Sequence, residues 1–359
     1  MKIAYCDHSY HQKTRSTLFL PNLLESKGHT VDYFWDSGWE GGSHVRFSQL
    51  EAYDAIVIFQ AIPHGLPDCI AKHHPNVTLI PMLDQFGIAK GPLFDLKRLW
   101  SPFHGSKVLS FSAAVHAIAT SNGIASMHCQ YMPPKTGRRS DVHPHRSTDN
   151  LRAFFWARRP SEISIEMVGQ LLGDHQAELT LHVHLSADPG EVETSEKDVR
   201  YAFPDCQSLT ISHWLESKDE IMQIIRDCDV YIAPRLEEGI GQSFLEALSA
   251  GLCVVAPNNG TMNEYLVDGV NGMLYNPASP KPLKFTDIAR IRENADRTAE
   301  QLRLNWECDQ ERVLGFILKM SSECYGEQHI YHGIQKDKSG ALPFRLKRAV
   351  KRILRRIRG

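Results

Sequence analysis

Short apolar runs alternate with longer amphipathic stretches through the first half of the chain. Ile3–Cys6, Val31–Trp35, Ala55–Gln60, Val77–Leu83 and Lys107–Phe111 have the length and apolar density of buried strands. Ser16–Ser26 has helical spacing and is stopped by Lys27-Gly28-His29. From Pro133 to Asn150 the apolar positions thin out into Pro, Lys, Thr, Gly, Arg and Ser, which marks a linker. The alternation then restarts. Leu151–Trp156, Leu179–Leu185, Asp229–Ala233 and Leu252–Ala256 are expected strands, and Lys218–Asp227, Gln242–Ala250 and Ala295–Lys319 expected helices.

Strands that alternate with helices predict parallel, doubly wound sheets. The expected fold is therefore α/β, with two Rossmann-like doubly wound domains facing across a cleft. The first covers 1–135, a linker covers 136–150, and the second domain covers 151–300. A late helix at 301–325 is expected to pack back toward the first domain, and a basic amphipathic tail occupies 340–359. Ligands of such sheets sit beyond the carboxyl ends of the strands. In the first domain that rule selects Asp7, His8, Gln60, His64, Asp84 and Gln85.

In the second domain one stretch carries more information than any other. A strand ends at Ala233, a loop with Gly239 and Gly241 follows, and a helix opens near Gln242 and closes at Gly251. The glycines let the backbone bend sharply and approach a ligand closely. The first amides of the helix, from Gly241 through Gln242 to Ser243, lack intrahelical partners, and the helix dipole adds partial positive charge there. A diphosphate suits such a place. Glu238 before the turn and Glu246 within the helix accept hydrogen bonds only, which suits hydroxyl groups. The same residues also have a purely structural reading, in which Glu246 caps amides or pairs with an arginine and the glycines shape a turn.

Glu238 and Glu246 are separated by seven residues, Gly239-Ile240-Gly241-Gln242-Ser243-Phe244-Leu245. This E-x7-E arrangement is followed by Cys253-Val254-Val255-Ala256, Asn263-Glu264-Tyr265 and Asp268 through Tyr275. The whole closely resembles the signature of retaining glycosyltransferase family 4, over roughly residues 210 to 280. The resemblance is weaker elsewhere, with Trp306 and Phe316 in the late helix. It implies the two-domain GT-B fold and transfer of a hexose-type sugar from a nucleotide diphosphate donor, with retention at the anomeric carbon. It implies that Glu246 holds the donor's ribose, that Glu238 contacts the transferred sugar, and that Gly239, Gly241, Gln242 and Ser243 meet the diphosphate and sugar. Arg158 or Arg159, after the expected strand at 151–156, would neutralise the leaving diphosphate. The first domain would take the acceptor, with Asp84 as a candidate proton acceptor and Asp7, His8, Lys13 and His64 as a weaker acceptor or phosphate loop.

Two departures stand out. The family often has a lysine a few residues beyond the arginine, where this chain has Pro160-Ser161-Glu162-Ile163-Ser164. Its amino-terminal loop often carries glycines, where this chain has Asp7 through Thr14; Lys13 or Arg15 is the candidate for the missing positive charge. No metal and no cofactor are expected, because a helix start and an arginine can do the work of a metal. Among the 18 histidines, clusters such as His73-His74 and His143/His145 are expected at the surface rather than as a metal site.

With 42% hydrophobic and 23% charged residues the chain is of globular composition. The amino terminus begins as a strand rather than a signal peptide, and no window reaches the roughly 18 apolar residues of a membrane span. The eight scattered cysteines form no C-x-x-C pair and predict buried thiols in a reducing, cytoplasmic compartment. Eight of the 40 Lys and Arg residues fall in Pro343–Gly359, which has no acid. Phe344, Leu346, Val350, Ile353, Leu354 and Ile357 recur there at helical spacing, which suits an anionic lipid surface and the inner face of a plasma membrane. No aromatic platform accompanies these charges, which argues against nucleic acid. The sequence therefore points to a glycosyltransferase of cell-surface polysaccharide synthesis using a glycan or lipid-linked acceptor. The alternatives are a sugar-nucleotide epimerase of the same fold, or an inactive binding protein.

Overall fold

The computed structural model describes residues 1–60, 74–86, 104–135, 151–215 and 217–325. His64, the linker at 136–150 and the basic tail lie outside the described residues. The chain divides into two compact units. One holds Met1–Gln130 together with the chain from Trp306 onward, and the other holds Tyr131–Asn305.

The first unit is built on six parallel strands, β1 (Lys2–His8), β2 (Thr30–Asp36), β3 (Ala55–Phe59), β4 (Val77–Ile80), β5 (Lys107–Ser110) and β6 (Ala125–His128), in the order β2-β1-β3-β4-β5-β6. Among the described residues its helices include α1 (Ser9–Thr14), α2 (Phe19–Ser26) and α3 (Ala113–Ser121). Strand period sets the core: Ala4, Cys6, Ile56, Ile58, Leu79 and Val108 share one face and pack on Val115 and Ala119 of α3.

The second unit repeats the plan with β7 (Leu151–Ala157), β8 (Leu179–Leu185), β9 (Ser208–Ser212), β10 (Val230–Ile232), β11 (Cys253–Pro257) and β12 (Gly272–Tyr275), in the order β12-β11-β10-β7-β8-β9. Between them run α4 (Ile165–Leu172), α5 (Glu196–Ala202), α6 (Lys218–Arg226) and α7 (Gln242–Ser249). Ala153, Phe155, Val183, Val230, Ile232 and Val255 bury one face against α4 and α5. Two parallel sheets with crossover helices are the two Rossmann-like domains of the GT-B fold.

The long helix α8 (Ile288–Leu318) starts earlier than the sequence suggests. Ile288 and Ile291 extend its buried stripe of Ala295, Ala299, Leu302 and Trp306 toward the amino terminus at the same helical spacing. The boundary between the units falls inside it, at Asn305/Trp306. Its end is closed by a buried lysine on β5. Lys107 Nζ donates to Asn76 Oδ1 at 2.7 Å, to the Ile317 carbonyl at 3.0 Å and to the Lys319 carbonyl, satisfying carbonyls that a helix end leaves without partners. Among the described residues no helix is long and apolar enough to cross a membrane.

One surface expectation is corrected. His74 is buried, with Nε2 2.8 Å from the Tyr53 carbonyl and Nδ1 3.1 Å from the Asn76 carbonyl oxygen. It ties backbone together ahead of β4.

Candidate functional site

In the second unit the chain runs from β7 outward to β8 and β9, then returns across the sheet to β10 and proceeds to β11 and β12. The strand order therefore reverses between β7 and β10, and that switch point is where open parallel sheets bind ligands. Arg158 and Arg159 emerge from β7 and the Ala233–Gly241 loop emerges from β10, so the sequence's main candidates stand on either side of it.

The two arginines share one acid. Arg158 Nε donates to Asp188 Oδ1 at 2.7 Å, and Arg159 Nε to Asp188 Oδ2 at 3.1 Å. The Asp188 amide in turn donates to the Arg158 carbonyl at 2.9 Å, which locks the β8 loop onto the β7 loop. Arg159 also donates from Nη1 to Glu162 Oε1 at 2.7 Å, and the other Glu162 oxygen accepts from the Leu236 amide at 3.0 Å, tying the arginine to the β10 loop. Burial pushes the Asp188 carboxyl up, but Arg158, Arg235 and Arg159 outweigh it and hold the group below the usual carboxylate range. The Arg158 guanidinium lies 5.3 Å over the Trp156 ring. Both guanidiniums are thus held in place before any ligand arrives.

Arg235 is the third cation of this group, and sequence reasoning gave it no role. It is buried, pairs with Glu238 at 3.5 Å, and acts on both Arg159 and Asp188. Lys13 and Arg15, the sequence's candidates for a further positive charge, lie on the first unit, both exposed. Asp188 was also missed, although the strand-end rule applied to β8 selects it.

The β10 loop turns into α7 at Gly241, which has φ 76° and ψ 52°. A Cβ there would stand 2.2 Å from the Phe244 ring and 3.1 Å from Glu238 Cβ, so only glycine fits. Thr261 Oγ1 donates to the Glu238 carbonyl at 2.5 Å and to that of Gly239 at 3.0 Å, supporting the loop from the turn after β11.

Glu238 and Glu246 are both buried. Together with Arg158 they act electrostatically on the hydroxyl of Tyr231, a fully buried side chain of β10. Burial pushes that phenol well up; Ser243 and Arg158 oppose the shift, and the two carboxylates add to it. The Tyr231 hydroxyl and Ser243 Oγ are neighbours, and neither makes a hydrogen bond of good geometry to the described residues. Buried hydroxyls in that condition are places for water or a ligand oxygen. Gln242 and Glu246 also reach the phenol of Tyr131. The structure therefore brings Arg158, Arg159, Glu238, Gly239, Gly241, Gln242, Ser243 and Glu246 into one region.

Asp7, His8 and Lys13 form a different group, on the first unit, where the strand order reverses between β1 and β3. Asp7 is fully buried and accepts from the His8 amide at 2.7 Å, from Thr17 Oγ1 at 2.5 Å, and from the His11 ring at 2.8 Å. His8 accepts from the Tyr10 amide at 3.3 Å and caps α1. Lys13 is exposed on α1. Asp84 lies beyond β4, in a short 3-10 turn at Leu83–Phe86, rather than at the end of the strand itself.

Residues 208–303 match the family described as "Glycosyl transferases group 1", a span that contains β9 to β12, Arg235 and both glutamates. An uncharacterized glycosyltransferase of Methanocaldococcus jannaschii is 32% identical over 69 residues, 19% of this chain and 20% of that one. An N,N'-diacetylbacillosaminyl-diphospho-undecaprenol alpha-1,3-N-acetylgalactosaminyltransferase of Campylobacter jejuni is 27% identical over 107 residues, 28% of this chain and 27% of that one. The matched stretches thus span about a fifth to a quarter of these curated relatives. Over the whole chain the fold is similar to that of Anabaena Alr3699/HepE in complex with UDP, with a TM-score of 0.62 at 16% identity, covering 88% of this chain and 99% of that one. The same protein in complex with UDP-glucose gives a TM-score of 0.55 at 14% identity, with 88% and 99% covered.

Proposed function

We propose that this protein is a glycosyltransferase whose second unit binds a nucleotide diphosphate sugar at the β7/β10 switch point and passes the sugar to a glycan or lipid-linked glycan. The observation that carries this is the meeting of Arg158, Arg159 and Arg235 with Glu238, Glu246 and the left-handed Gly241 at the start of α7. The match of 208–303 to group 1 glycosyl transferases, and the UDP and UDP-glucose complexes of Anabaena HepE, support the same reading.

In this reading the amides opening α7 and the guanidiniums of Arg158 and Arg159 receive the diphosphate. Their fixed charge stabilises the leaving group as its bond to the sugar breaks, the largest single contribution expected of such a site. Glu246 takes the ribose hydroxyls and Glu238 those of the transferred sugar, a hexose. The sugar is transferred with retention, without a metal. Asp84 on the first unit is a candidate to accept the acceptor's proton. The acceptor belongs to cell-surface polysaccharide synthesis, and the basic tail at 340–359 brings the enzyme to an anionic membrane face from the cytoplasm.

The test is a thermal-shift screen with UDP, GDP, ADP and their hexose conjugates, followed by product analysis with the donor that binds. A rise in Tm with one nucleotide family and an α-linked product from an α-linked donor support the reading, since ligand binding stabilises by mass action. No shift with any of them refutes it. Interconversion of the donor without an acceptor would instead support the epimerase alternative.

A further inference from the structure

The first unit carries a second constellation at the carboxyl ends of β1 and β2 that donor chemistry does not use. Asp7 engages Nδ1 of His11 at 2.8 Å; a carboxylate only accepts, so Nδ1 is the donor and Nε2 is left as the ring's other polar atom. The edge of the His11 ring is set against Phe59, with centroids 6.2 Å apart, so the ring is held on two sides. His11 leads through His8, 5.6 Å between centroids, to Trp39, whose indole stacks on His8 at 4.4 Å and 19°. Burial first, and His11 second, push the His8 pKa down, and its Nδ1 accepts from the Tyr10 amide, which favours the neutral ring.

Trp39 is an unusual residue to leave 43% exposed, and it is not loosely held. Its Nε1 donates to Ser9 Oγ at 2.8 Å, and Ser9 Oγ donates to Glu40 at 2.8 Å. The loop that carries it is closed by Ser37 and Ser43, with Ser43 N to Ser37 Oγ at 3.0 Å and Gly42 N to Ser37 O at 3.0 Å. A Cβ on Gly38 would collide with the His44 ring at 2.0 Å, so the loop has no slack there. A fixed, half-exposed indole beside an oriented imidazole is a binding platform whose ordering cost is already met.

We propose that this platform is a carbohydrate site: one ring of a glycan lies on Trp39, and a hydroxyl further along that glycan hydrogen-bonds to His11 Nε2. A sugar ring presents axial C–H groups that suit the negative face of an indole, and hydroxyls that can donate to or accept from an imidazole nitrogen. Naming this glycan the acceptor rests on the glycosyltransferase reading; the carbohydrate site stands on its own geometry. His11 then positions the acceptor, with Asp7 acting through it.

The full-length protein is titrated with methyl glycosides of glucose, galactose and N-acetylglucosamine and with maltose, lactose and chitobiose, following saturation transfer to the ring protons. UDP binding is measured on the same samples. At least one sugar is expected to bind, Trp39→Ala to weaken it about tenfold, Trp39→Phe to retain most of it, and His11→Ala to weaken it while UDP binding stays unchanged. Trp39 is surface-exposed, so its variants fold even if those of Asp7 do not. Sugar binding indifferent to both Trp39 and His11, or no binding by any probe, overturns the proposal even where UDP binds. Sugar binding that depends on Trp39 in a protein that ignores every nucleotide leaves this site standing and removes the donor reading.

Discussion

Arg235 and Glu238 stand three residues apart in the loop after β10 and face each other at 3.5 Å, with side chains only 11% and 6% exposed. Arg158, Arg159 and Arg235 are each paired with an acid among Asp188, Glu162 and Glu238 before a ligand binds. In the proposed function an incoming diphosphate would meet guanidiniums already oriented, which is the condition for electrostatic stabilisation without reorganisation.

Breaking that pair separates a structural role from a chemical one. Glu238→Ala leaves a guanidinium buried without its acid, and such losses cost about 3–5 kcal/mol of stability. Turnover is expected to fall tens- to thousands-fold. The double variant Arg235→Ala, Glu238→Ala removes both charges and recovers part of the stability, yet stays inactive. Denaturant unfolding and single-turnover assays on the cycle check this. A double variant that regains turnover along with stability would show that Glu238 has no part in the chemistry.

Glu246 is expected to act on binding. It is buried on α7 beside Gln242 and Tyr131, on the helix that would carry the diphosphate. Losing hydrogen bonds to a charged group weakens binding by about 1.5–3 kcal/mol, roughly ten- to a hundredfold. Glu246→Ala should raise the Kd for the cognate nucleotide by that much in a calorimetric titration. An unchanged Kd removes Glu246 from the nucleotide subsite.

Gly241 is a backbone requirement, not a packing preference. With φ at 76° and the Phe244 ring 2.2 Å from a hypothetical Cβ, alanine must move either the loop or the ring. The left-handed conformation alone costs about 1–2 kcal/mol. Gly241→Ala is expected to lower the unfolding midpoint and to lose nucleotide binding. Gly251, also left-handed but 3.6 Å from its nearest neighbour, should tolerate alanine with only the conformational cost.

The sequence was most legible where one physical signal dominated. Apolar runs located β1, β3, β7 and β8, and the glycine-bent turn located the start of α7 within a residue. It was silent on β9, because Ser208–Ser212 is a polar edge strand whose residues are half-buried or exposed. The α8 start was misplaced because Arg290 and Arg292 interrupt its apolar stripe, although Arg292 in fact pairs with Asp229 at 2.6 Å. Arg235 and His11 needed three-dimensional neighbours to acquire a role. His11 looks like any surface histidine until the buried Asp7 is seen behind it.

Lys107 gives a prediction whose sign can be worked out. Burial pushes its pKa down from 10.5 to about 8, against smaller opposing effects of Cys324 and Glu323. A folded-state value below the unfolded one means that the native protein binds fewer protons than the unfolded chain between about pH 8 and 10.5. Stability contributed at this site therefore rises with pH across that window, and the burial cost of the charged form is fully present below it. Lys107→Met removes the titration together with the bonds that close α8, so it should be less stable than the parent at every pH. The gap between the two should widen from pH 7.5 to 10, by at most about 1.4 kcal/mol per pH unit. Other groups titrate in both proteins and cancel in the difference. Parallel urea titrations at several pH values measure it; a constant gap would show that the folded protein holds the lysine as firmly charged as the unfolded chain does, and a narrowing gap that it holds it more firmly.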